Sequence, residues 1–151
     1  MKLTEHFTIE EMQTSNTATR MGLDNTCPPE LHQNMLHVAE QLEIVRAHYR
    51  KPLRVLSCYR APEVNTAVGG SKTSAHRFAM AADFIIPGVP VVEVARWCAE
   101  NLIDFDQVIC EFGAWVHLGF TRKTPRRQEL TATKQGGKTV YTTGLPSPKG
   151  A

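Results

Sequence analysis

The stretch "SAHRFAMAADF", residues 74–84, sets a histidine and an aspartate seven positions apart in a run otherwise dominated by alanine, methionine and phenylalanine. Buried polar side chains are costly unless they find partners. His76 and Asp83 are therefore either hydrogen-bonded members of a core wall or two groups aimed at one shared atom. The end of the stretch, "AADFII", is short and β-branched, and Pro87-Gly88 closes it, so it reads as a strand with Asp83 at its start. A third polar residue of the same kind stands further on. His117, in "WVHLGF", interrupts an otherwise apolar run beside Trp115.

Around His117, "FDQVICEFGAWVHLGF" reads as two strands joined around Phe112-Gly113-Ala114. Alternation places Trp115, His117 and Gly119 on one face of the second strand, and Gln107, Ile109 and Glu111 on one face of the first. A turn centred near Gly113 brings Glu111 close to His117 across the hairpin. Catalytic zinc sites take three protein ligands from histidine, carboxylate or cysteine and leave a fourth position for water. His76, Asp83 and His117 meet that requirement as a set. Taken singly, each also fits a hydrogen-bonded core position or a turn cap. Together they are more informative, because one cation would satisfy all three.

The rest of the chain supplies a frame of helices followed by strand pairs. Thr8 and Glu11 in "FTIEEM" form a capping box that starts a short helix. "NTATRMGLDNTCPPEL" is rich in turn formers and reads as a long ordered loop. From Pro29, Leu31, Met35, Val38, Leu42, Val45 and Tyr49 fall on one helical stripe, with His32, His37 and His48 off it as surface residues. Period-two alternation then gives a strand from about Leu53 to Tyr59, and "APEVNTAVGGSKTS" reads as a loop leading into residues 74–84. "VVEVARWCAENL" returns to helical spacing, and "ELTATKQGGKTVYTTG" reads as a hairpin turning at Gln135-Gly136-Gly137. This order predicts an α+β fold, with helices packed on a small antiparallel sheet.

With 151 residues the chain fits one domain, expected over 1–145 with a basic C-terminal hairpin and a flexible tail at 146–151. No apolar run approaches the roughly 20 residues that span a bilayer, so no membrane insertion is expected. The N-terminal "MKLTEHFTIEEM" has no stretch resembling a signal peptide, which predicts synthesis that ends in the cytoplasm. Cys27, Cys58, Cys98 and Cys110 are widely spaced and read as reduced, buried thiols, with Cys58 or Cys110 as the alternative members of a Cys/His pair. The formal charge of +2 hides an asymmetry: residues 122–151 carry seven Lys/Arg against Glu129 alone. Such an end could meet nucleic acid or an anionic envelope, but no aromatic ladder or nucleic-acid motif accompanies it. Nucleic acid is thus an unlikely partner, and a monomer is expected.

"SAHRFAMAADF" followed by "WVH" resembles Ser-x-His-x-x-Gly-x-Ala-x-Asp followed by Trp-x-His, the signature of the zinc D,D-peptidases. That family comprises D-Ala-D-Ala carboxypeptidases, vancomycin-resistance D,D-dipeptidases and phage L-alanyl-D-glutamate endopeptidases. "SCYRAPEVNTAVGGSKTS", "FDQVICEFGAWVH" and "HFTIEEMQTSNTATRMGLDN" extend the likeness over most of the chain, nearest to the compact phage-type members. The resemblance implies a hedgehog/D,D-peptidase-like fold and one Zn2+ held by His76, Asp83 and His117. By the same resemblance Glu111 is the general base, although several relatives carry their acid where this chain has Ala114. Arg60 is the group that binds a substrate carbonyl or carboxylate and steadies developing negative charge, or else a surface ion pair. Ser74, Tyr59 and Trp115 are implied to contact substrate, with Ser74 equally able to cap the turn before His76. Ala79 and Cys58 stand where the family has glycines, which adds side chains near the site.

The mechanism implied is amide hydrolysis with zinc activating water, Glu111 relaying its proton to the leaving amine, and Arg60 facing the oxyanion. The substrate implied is a peptidoglycan stem peptide with a D-residue at the cleaved bond, reached by way of a holin or as part of a virion. The alternative is a zinc-stabilised binding or tail-assembly module of the same fold, which has no need of Glu111. The donor set also accepts divalent metals other than zinc.

Overall fold

The computed structural model describes residues 1–147. Two short helices open the chain, α1 (Ile9–Met12) and α2 (Asn16–Met21). Thr8 caps α1 as its sequence suggests, its hydroxyl oxygen accepting the Glu11 N–H at 3.1 Å. Helix α2 falls inside the segment read as a loop. Ser15 caps its start, and Gly22, at φ 67°, ends it in the left-handed conformation. Its six residues bury only Ala18, too little apolar periodicity to register in the sequence.

A 3₁₀ turn at Pro29–Leu31 leads into α3 (His32–Tyr49), the longest helix. Met35, Val38, Leu42 and Val45 are wholly buried, matching the predicted stripe, and each such side chain contributes about 1.5–3 kcal/mol by leaving water. His32, His37 and His48 lie outside the buried set. After β1 (Arg54–Ser57), the expected loop again holds a helix, α4 (Pro62–Ala67), begun by Pro62 at a position that proline favours. Strand β2 (Ala81–Ile85) has Asp83 at its middle rather than its start. Helix α5 (Val91–Asn101) follows, then β3 (Gln107–Glu111), β4 (Trp115–Gly119), β5 (Gln128–Gln135) and β6 (Lys138–Thr143).

The strands form one six-stranded sheet in the order β1-β2-β4-β3-β5-β6. The fold is α+β as predicted, but the sheet is not wholly antiparallel, because β5 runs parallel to β3. The connection 120–127 passes from β4 to the far side of β3, so that Gln107 pairs with Gln128 and Glu111 with Ala132. Two arginines pin this crossing. Arg126 pairs with Asp106 at 2.7 Å, and Arg127 lies over the Phe105 ring while donating to the Leu102 and Ile103 carbonyls. The β5–β6 hairpin turns at Gly136-Gly137, both at positive φ, as a two-residue turn between antiparallel strands requires.

Paired residues on neighbouring strands share a face. Ala82, Phe84, Val108, Cys110, Val116 and Leu118 therefore face one way; all are buried, and α5 packs against β3 and β4. The opposite face carries Asp83 and His117 in one row with Ile109 and Leu130. Glu111 lies in the next row, with Trp115, Ala132 and Tyr141. No helix among the described residues is long and apolar enough to cross a membrane. Of the tail expected at 146–151, residues 148–151 lie outside the described residues, and the Pro146 carbonyl accepts a bond from Arg96 at 3.0 Å.

Candidate active site

His76, Asp83 and His117 converge. Each offers a ligand atom within 4.8 Å of the other two. The strand register accounts for part of this, since Asp83 is the cross-strand partner of His117. His76 arrives from a separate 3₁₀ turn, Ala75–Phe78, which Ser74 begins by accepting the His76 N–H at 3.3 Å. Ala79 ends that turn at φ 55° in the left-handed region, so the chain follows a glycine-like path with an alanine.

The two imidazoles are held differently. Nδ1 of His76 lies 2.7 Å from the Cys58 carbonyl, which can only accept, so Nδ1 carries the hydrogen and Nε2 is left toward Asp83 at 3.2 Å. His117 Nδ1 meets the same carboxylate oxygen, Oδ1, at 2.9 Å. Gly119 leaves room for that ring: a Cβ there would sit 3.2 Å from His117 Nε2. Burial by itself would raise the Asp83 pKa, but the adjacent His76 and His117 outweigh it and hold the carboxyl far below the usual carboxylate range. Burial disfavours a charged His117, yet the hydrogen bond and charge of Asp83 raise its pKa. Two imidazoles that line the cleft and a buried, ionised carboxylate beside them fit a zinc ion.

Arg60 and Glu111 border this triad. Arg60 Nη2 lies 3.6 Å from Asp83 Oδ2, Nη1 donates to Asn65 Oδ1 at 3.0 Å, and the backbone N–H donates to the His76 carbonyl at 2.9 Å. It is a half-buried member of the site, held to Asp83, rather than a surface ion pair. Glu111 Oε1 accepts the indole N–H of Trp115 at 2.8 Å and stands 3.9 Å from His117 Nδ1. Burial and the Asp83 carboxylate push the Glu111 pKa above its ordinary value. The offset between Glu111 and His117 is thus spanned by the hairpin, as alternation suggests.

Arg60, Ser74, His76, Glu111 and His117 line a single cleft of about 1040 Å³. Tyr59 does not reach it: its side chain is buried in the hydrophobic core. Trp115 holds Glu111 and packs edge-on against Phe112. Cys58 and Cys110 are buried thiols with raised pKa values, chiefly through burial, and neither lines the cleft.

Residues 5–119, well over half of the chain, match the family model of peptidase M15. The chain belongs to the peptidase M15 family. No curated protein matches it closely. The M15 family is one of zinc-dependent peptidases, and the triad found here is a donor set of the kind such chemistry needs. Two features of this M15 site have no strong sequence signal. Asn65, which grips Arg60, sits in a segment read as loop. Tyr141 joins the cleft only because β6 reaches it through β5, placing the ring in the Glu111 row.

Proposed function

We propose that the chain hydrolyses amide bonds in peptidoglycan stem peptides or cross-links, with a D-residue beside the cleaved bond, as a phage or prophage lysin. The convergence of His76, Asp83 and His117, with both histidines lining the cleft, carries this reading.

Zinc held by the three side chains would supply the Lewis acidity that activates a water and polarises the scissile carbonyl. Glu111 receives the proton of the attacking water and passes it to the departing amine. It stands 3.9 Å from His117 Nδ1, and Trp115 fixes its Oε1. Arg60 presents its guanidinium beside the triad, where negative charge develops on the carbonyl oxygen, and Asn65 and Ser57 fix its aim. Ser74 spends a lone pair on the His76 N–H, leaving its own hydrogen to donate to substrate.

The test compares wild type and Glu111→Ala, both loaded with zinc, on isolated peptidoglycan, with mass spectrometry of the released peptides. The expected result is release by wild type and a loss of about 100-fold or more in the variant, the usual size for a general base. Equal inactivity of both proteins on every wall type would instead favour a zinc-stabilised binding module.

A further inference from the structure

The connection 120–127 lies beyond the residues matched to the peptidase family, and it forms one rim of the cleft. It carries four cations, two of which are internally neutralised or engaged. Arg126 is paired with Asp106, and Arg127 is held by two backbone carbonyls and the Phe105 ring. Arg122 is in a different position. Its Nε–H donates to Asn34 Oδ1 at 3.0 Å, and Nη2 bonds to the same oxygen. Asn34 is itself buried on α3, and its Nδ2 donates to the Phe78 carbonyl at 3.0 Å. A neutral amide thus fixes the guanidinium, and among the described residues no carboxylate comes within 4.0 Å of it.

A guanidinium has five N–H donors in a planar fork, so two donors on Asn34 leave three for a ligand. Lys123, also on the rim, has no acidic partner among the described residues within that distance. Glu30 shares the rim, but it pairs with neither cation and leaves this end of the cleft net positive. Anchoring matters because an arginine already ordered by the fold loses little freedom when it binds a planar anion.

We propose that Arg122, positioned by Asn34 and assisted by Lys123, binds a carboxylate of the peptide substrate and selects acidic peptides over neutral ones of the same shape. This rests on the peptidase reading above.

The probes are an alanyl-D-glutamyl peptide with its carboxylates free and its fully amidated counterpart. Binding is measured by calorimetry on the zinc-loaded full chain carrying Glu111→Gln, and hydrolysis on the zinc-loaded parent. The acidic peptide should bind at least tenfold more tightly. Adding Arg122→Gln should reduce that preference to twofold or less while leaving affinity for the amidated peptide unchanged. In hydrolysis the same change should raise KM for the acidic peptide with kcat within twofold. Arg122→Lys, which keeps the charge without the fork, should fall between. A preference that survives Arg122→Gln, equal weakening of both peptides, or no binding of either overturns the assignment. Selective binding without cleavage by the parent would leave the Arg122 site standing and remove the peptidase reading. Cleavage without selectivity would do the reverse.

Discussion

Gly70 is the position at which packing outside the metal triad most directly controls the site. Its φ is not in the left-handed region, so a side chain there is opposed by space alone. A Cβ would stand 2.1 Å from Asn65 Oδ1, 2.8 Å from Asn65 Cγ and 3.0 Å from Arg60 Nη1. Asn65 Oδ1 must therefore move by about 1.3–1.9 Å to reach ordinary contact. It cannot swing aside freely, because its side chain is short, buried and bonded at both ends, to Arg60 Nη1 and to the Ser71 carbonyl at 2.8 Å.

Gly70→Ala consequently breaks one charge-assisted hydrogen bond, worth about 1.5–3 kcal/mol, and one neutral bond, worth about 0.5–1.5 kcal/mol. Partial relaxation leaves an expected loss of about 2–4 kcal/mol, and Arg60 loses its aim at the cleft. Urea denaturation measures the first effect through a lower midpoint at unchanged slope. A double-mutant cycle tests the cause. In Asn65→Ala the amide is gone, so adding Gly70→Ala should cost less than about 0.5 kcal/mol, giving a coupling of about 2 kcal/mol. If the two changes prove additive, or if Gly70→Ala alone costs nothing, the proposed contact between Gly70 and Asn65 is wrong.

Further outcomes can be checked on the same protein. Zinc at 100 times its Kd should stabilise the fold by about 2.7 kcal/mol, or roughly 5–10 °C in Tm for a chain of this size; a chelator should reverse this and His117→Ala should abolish it, as read by thermal melts. Ala79→Gly should change stability by less than about 1 kcal/mol, because relief of left-handed strain, about 1–2 kcal/mol, is offset by about 0.4–1 kcal/mol of unfolded-chain entropy and about 0.8 kcal/mol of lost methyl burial; a urea midpoint showing a loss above 2 kcal/mol would mean that the methyl packs more tightly than its position suggests. The hydrogen bond from Arg126 holds the Asp106 carboxyl below its ordinary value, so the pair stabilises the fold above the unfolded pKa of about 4 and that contribution is lost as pH falls through the lower folded value. Because Arg126 is largely exposed, the effect should stay under about 1 kcal/mol and shrink in high salt, and Asp106→Asn should remove it from denaturation curves recorded between about pH 5 and 2. Reducing agents should leave the Tm unchanged, since all four cysteines are free and buried.

The α+β class and the proximity of His76, Asp83 and His117 are both legible in the sequence. Residues 74–84 and "WVH" identify the triad because polar donors stand out against an apolar run, and the hairpin at Phe112-Gly113 brings Glu111 toward His117 by alternation alone. Helices α2 and α4 look like loops in the sequence because each has six residues, too few to show an apolar period, and because Pro62, Gly69 and Gly70 are turn formers in most settings. Tyr59 illustrates the opposite difficulty. A tyrosine beside Arg60 suggests a place in the cleft, but the chain buries its side chain while the next residue turns toward Asp83.

The amino-acid pattern carries the chemistry: which side chains can donate to a metal, which strand face they occupy, and that a positive charge excess gathers after residue 121. The tertiary structure alone decided how those groups are used. It laid β5 parallel to β3, brought Tyr141 and Arg122 to the cleft, and fixed Arg60 and Arg122 on the buried amides of Asn65 and Asn34. The reason is physical. Local periodicity records how a residue faces its near neighbours, whereas contacts such as that between Asn34 and Arg122, 88 positions apart, form only when distant segments pack, and no short-range pattern encodes them.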